Sequence, residues 1–320
     1  MPKNKRVFEK VIVVTGGLGF IGSNYLNKFV VKYPNYLFIN VDCLTYAGSL
    51  KNITVSKNKN YVLEKVDIRN IKSLDKIFLK YKPEAVIHFA AESHVDFSIT
   101  NPSIFIETNV LGTHNLLSLA SKYKVKRFHQ VSTDEVYGSL NKSEPAFSNK
   151  SDLKPNSPYS ASKAAADMLV RSYSKTFGLN TVITRCSNNY GPNQDKSKLI
   201  PKIITNLLHN KKVPIYGKGQ NVRDWIYVGD HVDAIDLVFH QGQSGKIYNI
   251  GGEAEFKNID IIKKIIKIMG KDGSLIEFVP DRLGHDFRYA IDNREILKEL
   301  KWKPKVDLEE GLRKTIDFYI

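Results

Sequence analysis

A chain of 320 residues, 42% hydrophobic and 25% charged, has the size and composition of a globular protein that buries a sizeable core. No apolar run approaches the roughly 18 residues needed to span a bilayer. No apolar segment follows the basic start Met1-Pro2-Lys3 at signal-peptide distance, and Cys43 and Cys186 make neither a disulfide framework nor a metal motif, so a cytoplasmic, reduced protein without membrane contact or metal is expected. The formal charge of +15 invites a nucleic-acid reading. However, lysines such as Lys263, Lys264 and Lys267 lie scattered between isoleucines, with no basic stripe interleaved with aromatics, so solvated faces are expected and no nucleic-acid partner.

Val11 to Thr15 is β-branched and uncharged, the pattern of a buried strand, and it runs into Gly16-Gly17-Leu18-Gly19-Phe20-Ile21-Gly22 and a helix from about Ser23 to Val31. Gly16, Gly19 and Gly22 permit a tight turn, close approach of backbone to a pyrophosphate and close helix–strand packing. The N-terminus of the helix adds N–H groups for phosphates. Alone, Gly-x-x-Gly-x-x-Gly is a weak signal. It is strengthened by a second strand, Tyr36 to Val41, ending at Asp42, about 20 residues past the last glycine. A carboxylate there bonds the adenosine ribose hydroxyls and repels a 2′-phosphate, which favours NAD over NADP.

Strand patterns recur at Tyr61 to Leu63 and Ala85 to Phe89, and helical patterns at Ile71 to Lys80 and Ile104 to Tyr123. Asp67 and Ile68 follow the third strand, placed to touch adenine. Phe89-Ala90-Ala91-Glu92-Ser93 closes the fourth with small residues that let a cofactor lie near. His94 and Asp96 come next, but nothing supplies a third metal ligand, so packing is expected of them. A strand from Lys126 to Val131 leads into Ser132-Thr133-Asp134-Glu135, and a helix beginning after Pro158 carries Tyr159 and Lys163. Residues i and i+4 share a helix face, so the phenol and the ammonium can address one ligand. An ammonium beside a phenol favours phenolate, so Tyr159 is expected to act as a base near neutral pH, removing a proton from a sugar hydroxyl during hydride transfer.

Beyond a strand at Thr181 to Thr184 the segments shorten: a helix near Ile200 to Leu208, a turn at Tyr216 to Gln220, and amphipathic helices at Asp230 to Phe239, Asn258 to Met269 and Leu308 to Tyr319. The alternation predicts an α/β fold, a doubly wound parallel sheet of the NAD-binding Rossmann type with right-handed crossovers. Residues 1–190 form the dinucleotide-binding domain, joined by a later strand near 246–250. Residues 191–320 form mainly a smaller, interleaved C-terminal substrate-binding lobe. Ligands are expected beyond the carboxyl ends of the strands, where Thr133 to Glu135 fall.

These motifs together resemble the extended short-chain dehydrogenase/reductases, and within them the dTDP-glucose 4,6-dehydratases, over nearly the whole chain. The resemblance rests on Thr15 to Gly22, Val41-Asp42 with Leu44 to Gly48, Ala90 to Asp96, Ser132 to Gly138, Tyr159 to Lys163, Arg185 to Pro192, Gln220 to Trp225 and Asp281 to Asp286. Thr133-Asp134-Glu135 discriminates best, since similar epimerases usually carry a serine-rich stretch there and related decarboxylases usually keep only the glutamate.

The resemblance implies bound NAD, an internal hydride transfer from C4 to C6 of a nucleotide-linked glucose, and loss of water to give a 4-keto-6-deoxy sugar, commonly a precursor of rhamnose. It implies that Tyr159, supported by Lys163, takes the C4 hydroxyl proton, that Thr133 bonds that oxygen, that Glu135 is the base at C5 and that Asp134 is the acid at C6. Adjacent carboxylates in a closed site push one pKa up, which suits Asp134 as the acid. Leu44, Thr45, Ser93, Thr108 and Asn189 are implied to join the cofactor set. Ser93, Asn188, Lys198, Leu199, Pro214, Tyr216, Arg223, Asn258, Asp281, Arg282 and His285 are implied around the nucleotide sugar, with Arg223 as diphosphate clamp and a salt bridge to Asp224 as its plainer alternative. A homodimer through the helices Ile104 to Tyr123 and Tyr159 to Phe177 is implied too. Departures are Phe97 for a common arginine, Leu283 for a common proline, and Asp195-Lys196-Ser197 for an aromatic-proline-acid run. They leave the choice between dTDP-glucose and UDP-glucose open. An epimerase or decarboxylase, and a non-catalytic NAD-sensing protein, are the remaining alternatives.

Overall fold

The computed structural model describes residues 8–281 and 286–320. Among these residues the strands are β1 Lys10–Thr15, β2 Tyr36–Asp42, β3 Tyr61–Lys65, β4 Ala85–His88, β5 Arg127–Thr133, β6 Thr181–Cys186, β7 Asn188–Tyr190, β8 Val213–Tyr216, β9 Val222–Tyr227, β10 Ile247–Ile250, β11 Glu255–Lys257 and β12 Ile276–Val279. The helices are α1 Phe20–Lys32, α2 Ile71–Tyr81, α3 Val95–Thr100, α4 Ser103–Phe105, α5 Gly112–Lys122, α6 Pro158–Phe177, α7 Leu199–Leu208, α8 Val228–Gln241, α9 Asn258–Ile268, α10 Arg294–Leu300 and α11 Leu308–Tyr319.

Seven strands form one sheet in the order β10-β6-β5-β4-β1-β2-β3, every neighbouring pair parallel. Strands buried on both faces need uncharged, β-branched sequence, and β1 supplies it in Val13 and Val14. One face is covered by α1 and α8 through Phe29, Val30, Val232, Ile235 and Phe239. The other is covered by α2, α5 and α6 through Leu74, Phe78, Leu116, Leu117 and Val170. From β1 the chain winds one way to β2 and β3 and then the other way to β4, β5 and β6. The order therefore reverses between β1 and β4, the crevice where doubly wound sheets bind ligands. The expected strand near 246–250 joins the sheet as β10, with Ile247 opposite Ile183.

Short strands that the sequence patterns did not reveal form two further sheets, β11-β9-β7 and β12-β8. They pack with α7, α9 and α11 around Ile204, Ile215, Ile262 and Leu312. The expected helix Ile104 to Tyr123 is interrupted: a π-helical segment, Ile106–Leu111, lies between α4 and α5. Its Asn109 is 1% exposed, and its side chain both accepts from and donates to the backbone of Glu92, at 2.8 and 3.0 Å, and donates to Ser162 Oγ at 2.9 Å. Such single π turns recur at functional sites. This one ties the end of β4 to α6.

α6 opens with a capping box, Ser157 and Ser160 satisfying each other's backbone amides, with Pro158 in its first turn, and closes on Gly178 in the left-handed conformation. Asp167, on its buried face, accepts from Arg185 Nε at 2.9 Å. The two side chains are 0% and 1% exposed, and the guanidinium lies 4.8 Å from the Tyr137 ring centroid. Removing one member of such a pair strands a buried charge. Arg185→Met is therefore expected to lower stability by about 3–5 kcal/mol, read from the shift in urea midpoint; a loss below about 1 kcal/mol would contradict the pairing as a structural tie.

Candidate active site

The loop after β1 is shaped by crowding. Gly16 sits at φ +71°, and a Cβ there would lie 2.6 Å from Ala90 Cα; a Cβ on Gly22 would lie 2.3 Å from the Gly16 carbonyl oxygen. Only glycine lets the β1 and β4 ends close up while α1 begins against the turn. Asp42, at the tip of β2, accepts from the Leu18 amide at 2.9 Å and from the Leu44 amide at 2.8 Å. It pins the glycine loop and the following segment to one carboxylate.

Between these loops lies a cavity of about 320 Å3 lined by Gly16, Gly19, Phe20, Ile21, Gly22, Asp42, Thr45, Asp67, Ile68, Phe89, Ala90, Ala91, Ser93, Thr108 and Asn189. The expected cofactor residues are thus gathered in one place except Leu44, which packs against the core on the α1 and α8 side of the sheet instead. The glycine turn, the start of α1 and the acid at the tip of β2 fit a dinucleotide, with phosphates at the helix N-terminus and a ribose at Asp42. Arg69 also lines the cavity; its guanidinium is tied up by Asp67 and Glu107, at 2.7 and 3.0 Å.

The same cavity reaches Thr133, Asp134, Glu135, Tyr159, Lys163 and Cys186. β5 ends at Thr133, opposite Cys186 of β6. Thr133 Oγ1 caps the 3-10 turn Asp134–Tyr137 by accepting from the Glu135 amide at 3.3 Å, donates to Asp134 Oδ1 at 3.4 Å and faces the same cavity as Tyr159. Lys163 is 5% exposed and donates to the Val131 carbonyl at 2.9 Å. Asp134 is 2% exposed. Burial first, and then the charge of Glu135, push its carboxyl well above the usual range, so it holds a proton.

The surroundings of Tyr159 work against the phenolate that the sequence reading expects. Burial and the neighbouring Glu135 push its phenol well above its usual value, and Thr133 opposes them only in part. The Lys163 ammonium, drawn down by burial, donates to the Val131 carbonyl, and Asp167 is the first charge that counters this.

A second cavity, of about 440 Å3, adjoins the first and shares Ser93, Glu135, Asn188, Asn189, Gln194 and Lys198 with it. Leu199, Pro214, Tyr216, Arg223 and Asn258 line it as expected, with Trp225, Asp286 and Tyr289 in addition. Among the described residues, Asn188 Oδ1, Gln194 Oε1, Trp225 Nε1 and Asn258 Oδ1 are buried without a hydrogen-bond partner, which marks the walls as built for a polar ligand. Lys198 Nζ reaches the Ser93 carbonyl at 3.0 Å, across the junction of the two cavities.

Arg223 is 6% exposed, not a surface residue. Its guanidinium donates to the Asp286 carbonyl at 2.9 Å and stacks 4.5 Å from the Tyr289 ring centroid, while Asp224 accepts from the Gly252 and Ala254 amides. Asp281 lies against Gly217, outside both linings. Arg282 and His285 fall outside the described residues. His94 caps α3 and, with Asp96, lines the second cavity, where packing alone was expected of them. Among the described residues no cluster of three or more His, Cys, Asp or Glu could hold a metal ion, and no helix is long and apolar enough to cross a membrane. Sequence reasoning missed Tyr289, Trp225, Glu92 and Asn109. Only Asn109 left a signal, a poor helix former inside an apolar helical pattern.

Parallel sheet, glycine loop, acid-tipped β2 and Tyr159 with Lys163 on α6 define a short-chain dehydrogenase/reductase with a second ligand cavity against its catalytic end. The profile of the GDP-mannose 4,6 dehydratase family matches residues 13–315. The dTDP-glucose 4,6-dehydratase of Shigella flexneri is 47% identical, the match covering 97% of this chain and 92% of that protein. The dTDP-glucose 4,6-dehydratase of Bacillus anthracis, solved in complex with NAD, is 45% identical, covers 97% and 96% of the two chains, and superposes with a TM-score of 0.91. That of Streptomyces venezuelae, solved with NAD bound, is 43% identical over 97% and 96%, with a TM-score of 0.93. The chain belongs to the dTDP-glucose 4,6-dehydratase family.

The Asp134 proton has a consequence for stability. The folded chain keeps it at pH values where the unfolded chain, with an ordinary carboxyl pKa of about 3.9, has released it. Stability is therefore lost as pH rises from that value through the raised folded one. Asp134→Asn removes this penalty. Its stability relative to wild type is expected to grow between about pH 4 and pH 8 in urea titrations; a difference that stays flat or shrinks with pH would refute the protonated state.

Proposed function

We propose that the chain converts dTDP-glucose to dTDP-4-keto-6-deoxyglucose and water with NAD as a resident cofactor, a hydro-lyase reaction on a nucleotide sugar. The observation that carries this reading is the Thr133-Asp134-Glu135 constellation against Tyr159, at the junction of a dinucleotide cavity and a second, polar one. NAD, when bound, accepts hydride from C4 of the glucose ring and returns it to C6. Tyr159 takes the proton of the C4 hydroxyl while Thr133 holds that oxygen. The deprotonated form that Tyr159 needs is reached through the positive charge of Lys163 and of the oxidised cofactor, which offsets the burial that disfavours it. The resulting 4-ketone acidifies the C5 proton, which Glu135 removes. Asp134, kept neutral, protonates the leaving C6 hydroxyl. Glu135 then restores a proton to C5 as C6 is reduced. Each such acid–base step is worth roughly 10²–10⁴-fold.

Lys198, Arg223, Asn188 and Asn258 hold the nucleotide diphosphate and sugar, with the Arg223 guanidinium stacked on Tyr289 in the cavity wall. UDP-glucose is the second reading, because the two nucleotides differ only by a methyl group on the base, worth about 1 kcal/mol of burial, and by the 2′-hydroxyl of the ribose. Both cysteines are free, which suits work in a reducing cytoplasm. The exposed apolar side chains Ile106, Leu111, Met168 and Phe177, on the helical layer of α5 and α6, support a homodimer formed through that layer.

Incubation with dTDP-glucose and UDP-glucose separately, without added reductant, is expected to remove one water, faster from dTDP-glucose. An isomer of unchanged mass would move the protein to the epimerases. Glu135→Gln is expected to lower kcat by at least about 10²-fold while leaving NAD binding intact, read from turnover and from cofactor content; unaltered turnover would remove Glu135 from the chemistry. Light scattering is expected to give twice the 36.3 kDa chain mass and to give the monomer for Leu111→Asp combined with Met168→Asp. A monomeric wild type would refute the dimer.

A further inference from the structure

β7 is a three-residue strand, paired with β9 at the edge of the β11-β9-β7 sheet, with Asn189 opposite Ile226. Ser187, Asn188 and Asn189 line the first cavity, and Asn188 and Asn189 line the second as well. A strand this short carries too few ladder bonds to fix its own register, and a slip of one residue would exchange the faces that Asn188 and Asn189 present.

Side chains fix it instead. Ser187 is anchored beside β10: its amide donates to the Ile250 carbonyl at 3.1 Å, and its Oγ accepts from the Gly252 amide at 3.2 Å. Asn189 Nδ2 donates to the Ser187 carbonyl at 2.9 Å, and Asn189 Oδ1 lies 2.7 Å from Nδ1 of His231, in the first turn of α8. The Ser187 carbonyl can only accept, so the Asn189 amide cannot be turned about and its oxygen faces His231. The imidazole therefore carries its proton on Nδ1. His231 is 0% exposed, and burial pulls its pKa down to about 3, so the ring stays neutral. Its Nε2 is buried without a hydrogen-bond partner among the described residues, and the ring lines neither cavity. Asn189 is what this buried histidine serves. With Asn189 turned to α8, alternation along the strand turns Asn188 to the opposite face, and Asn188 is a residue that both cavities share.

We propose that His231 is a positioning residue for the substrate: through Asn189 it holds the register of β7 that presents Asn188 at the junction of the two cavities. The inference rests on the dehydratase reading, in which Asn188 meets the nucleotide sugar there.

Steady-state kinetics on dTDP-glucose test it, with turnover expressed per bound NAD. His231→Leu is expected to raise KM about tenfold, the order that one misplaced hydrogen bond is worth. His231→Asn, whose Nδ2 can stand where Nδ1 stands, is expected to bring KM back to within about threefold of wild type. Asn188→Ala is expected to raise KM too, and His231→Leu to add nothing to it, since His231 acts through Asn188. A role in stability alone would lower the folded fraction and leave KM unmoved. A second measurement does not depend on the folding of His231→Leu: NMR of isotopically labelled imidazoles, assigned with His231→Asn, is expected to place the His231 proton on Nδ1. An unmoved KM in His231→Leu, no recovery in His231→Asn, additive effects with Asn188→Ala, or a proton on Nε2 overturns the proposal and leaves the dehydratase reading standing. A wild type inactive on both dTDP-glucose and UDP-glucose overturns that reading and this inference with it.

Discussion

The bond from Lys163 Nζ to the Val131 carbonyl, 2.9 Å long and buried, is the constraint on which the site depends. It joins α6 to the last residues of β5, and so sets Tyr159, one turn earlier on the helix, against Thr133, Asp134 and Glu135 just past the strand end. The capping box at Ser157 and Ser160 fixes where α6 starts, and the Asp167–Arg185 pair fixes its rotation against β6. Three elements distant in sequence thus present their polar groups to one point.

That point is buried, and burial acts in opposite directions on its members. It keeps a proton on Asp134, which the acid at C6 needs, and it keeps a proton on Tyr159, which the base at C4 has to lose. A single buried site resolves the conflict only if the charge around it changes during the cycle. The carboxylate of Glu135 raises both groups; the positive charges nearest the phenol lower one of them. Oxidation and elimination can then share a cavity without sharing a protonation state.

The sequence made the doubly wound sheet legible because its strands are β-branched and uncharged and its helices periodic, and because glycines and an acid stand at the spacing a pyrophosphate and a ribose require. The residues proposed for catalysis were legible as motifs, and the structure gathers Thr133, Asp134, Glu135, Tyr159 and Lys163 around one cavity. What could not be read was long-range. The three-residue strands β7 and β11 carry too little pattern to show a period. Tyr289 stacks on Arg223 from the far end of the chain, a contact that no local spacing encodes. The i, i+4 rule places Lys163 beside Tyr159 but is blind to burial, which opposes the phenolate, and to the Val131 carbonyl that accepts a hydrogen bond from the ammonium.

The central claim is that one enclosed site oxidises C4, eliminates water across C5 and C6, and reduces C6 with the same hydride. The direct measurement is the fate of deuterium placed at C4 of dTDP-glucose, followed by NMR of the product in ordinary water. The account predicts deuterium at C6 of the 4-keto-6-deoxy product in nearly every molecule. Deuterium lost to water, or remaining at C4, would contradict it.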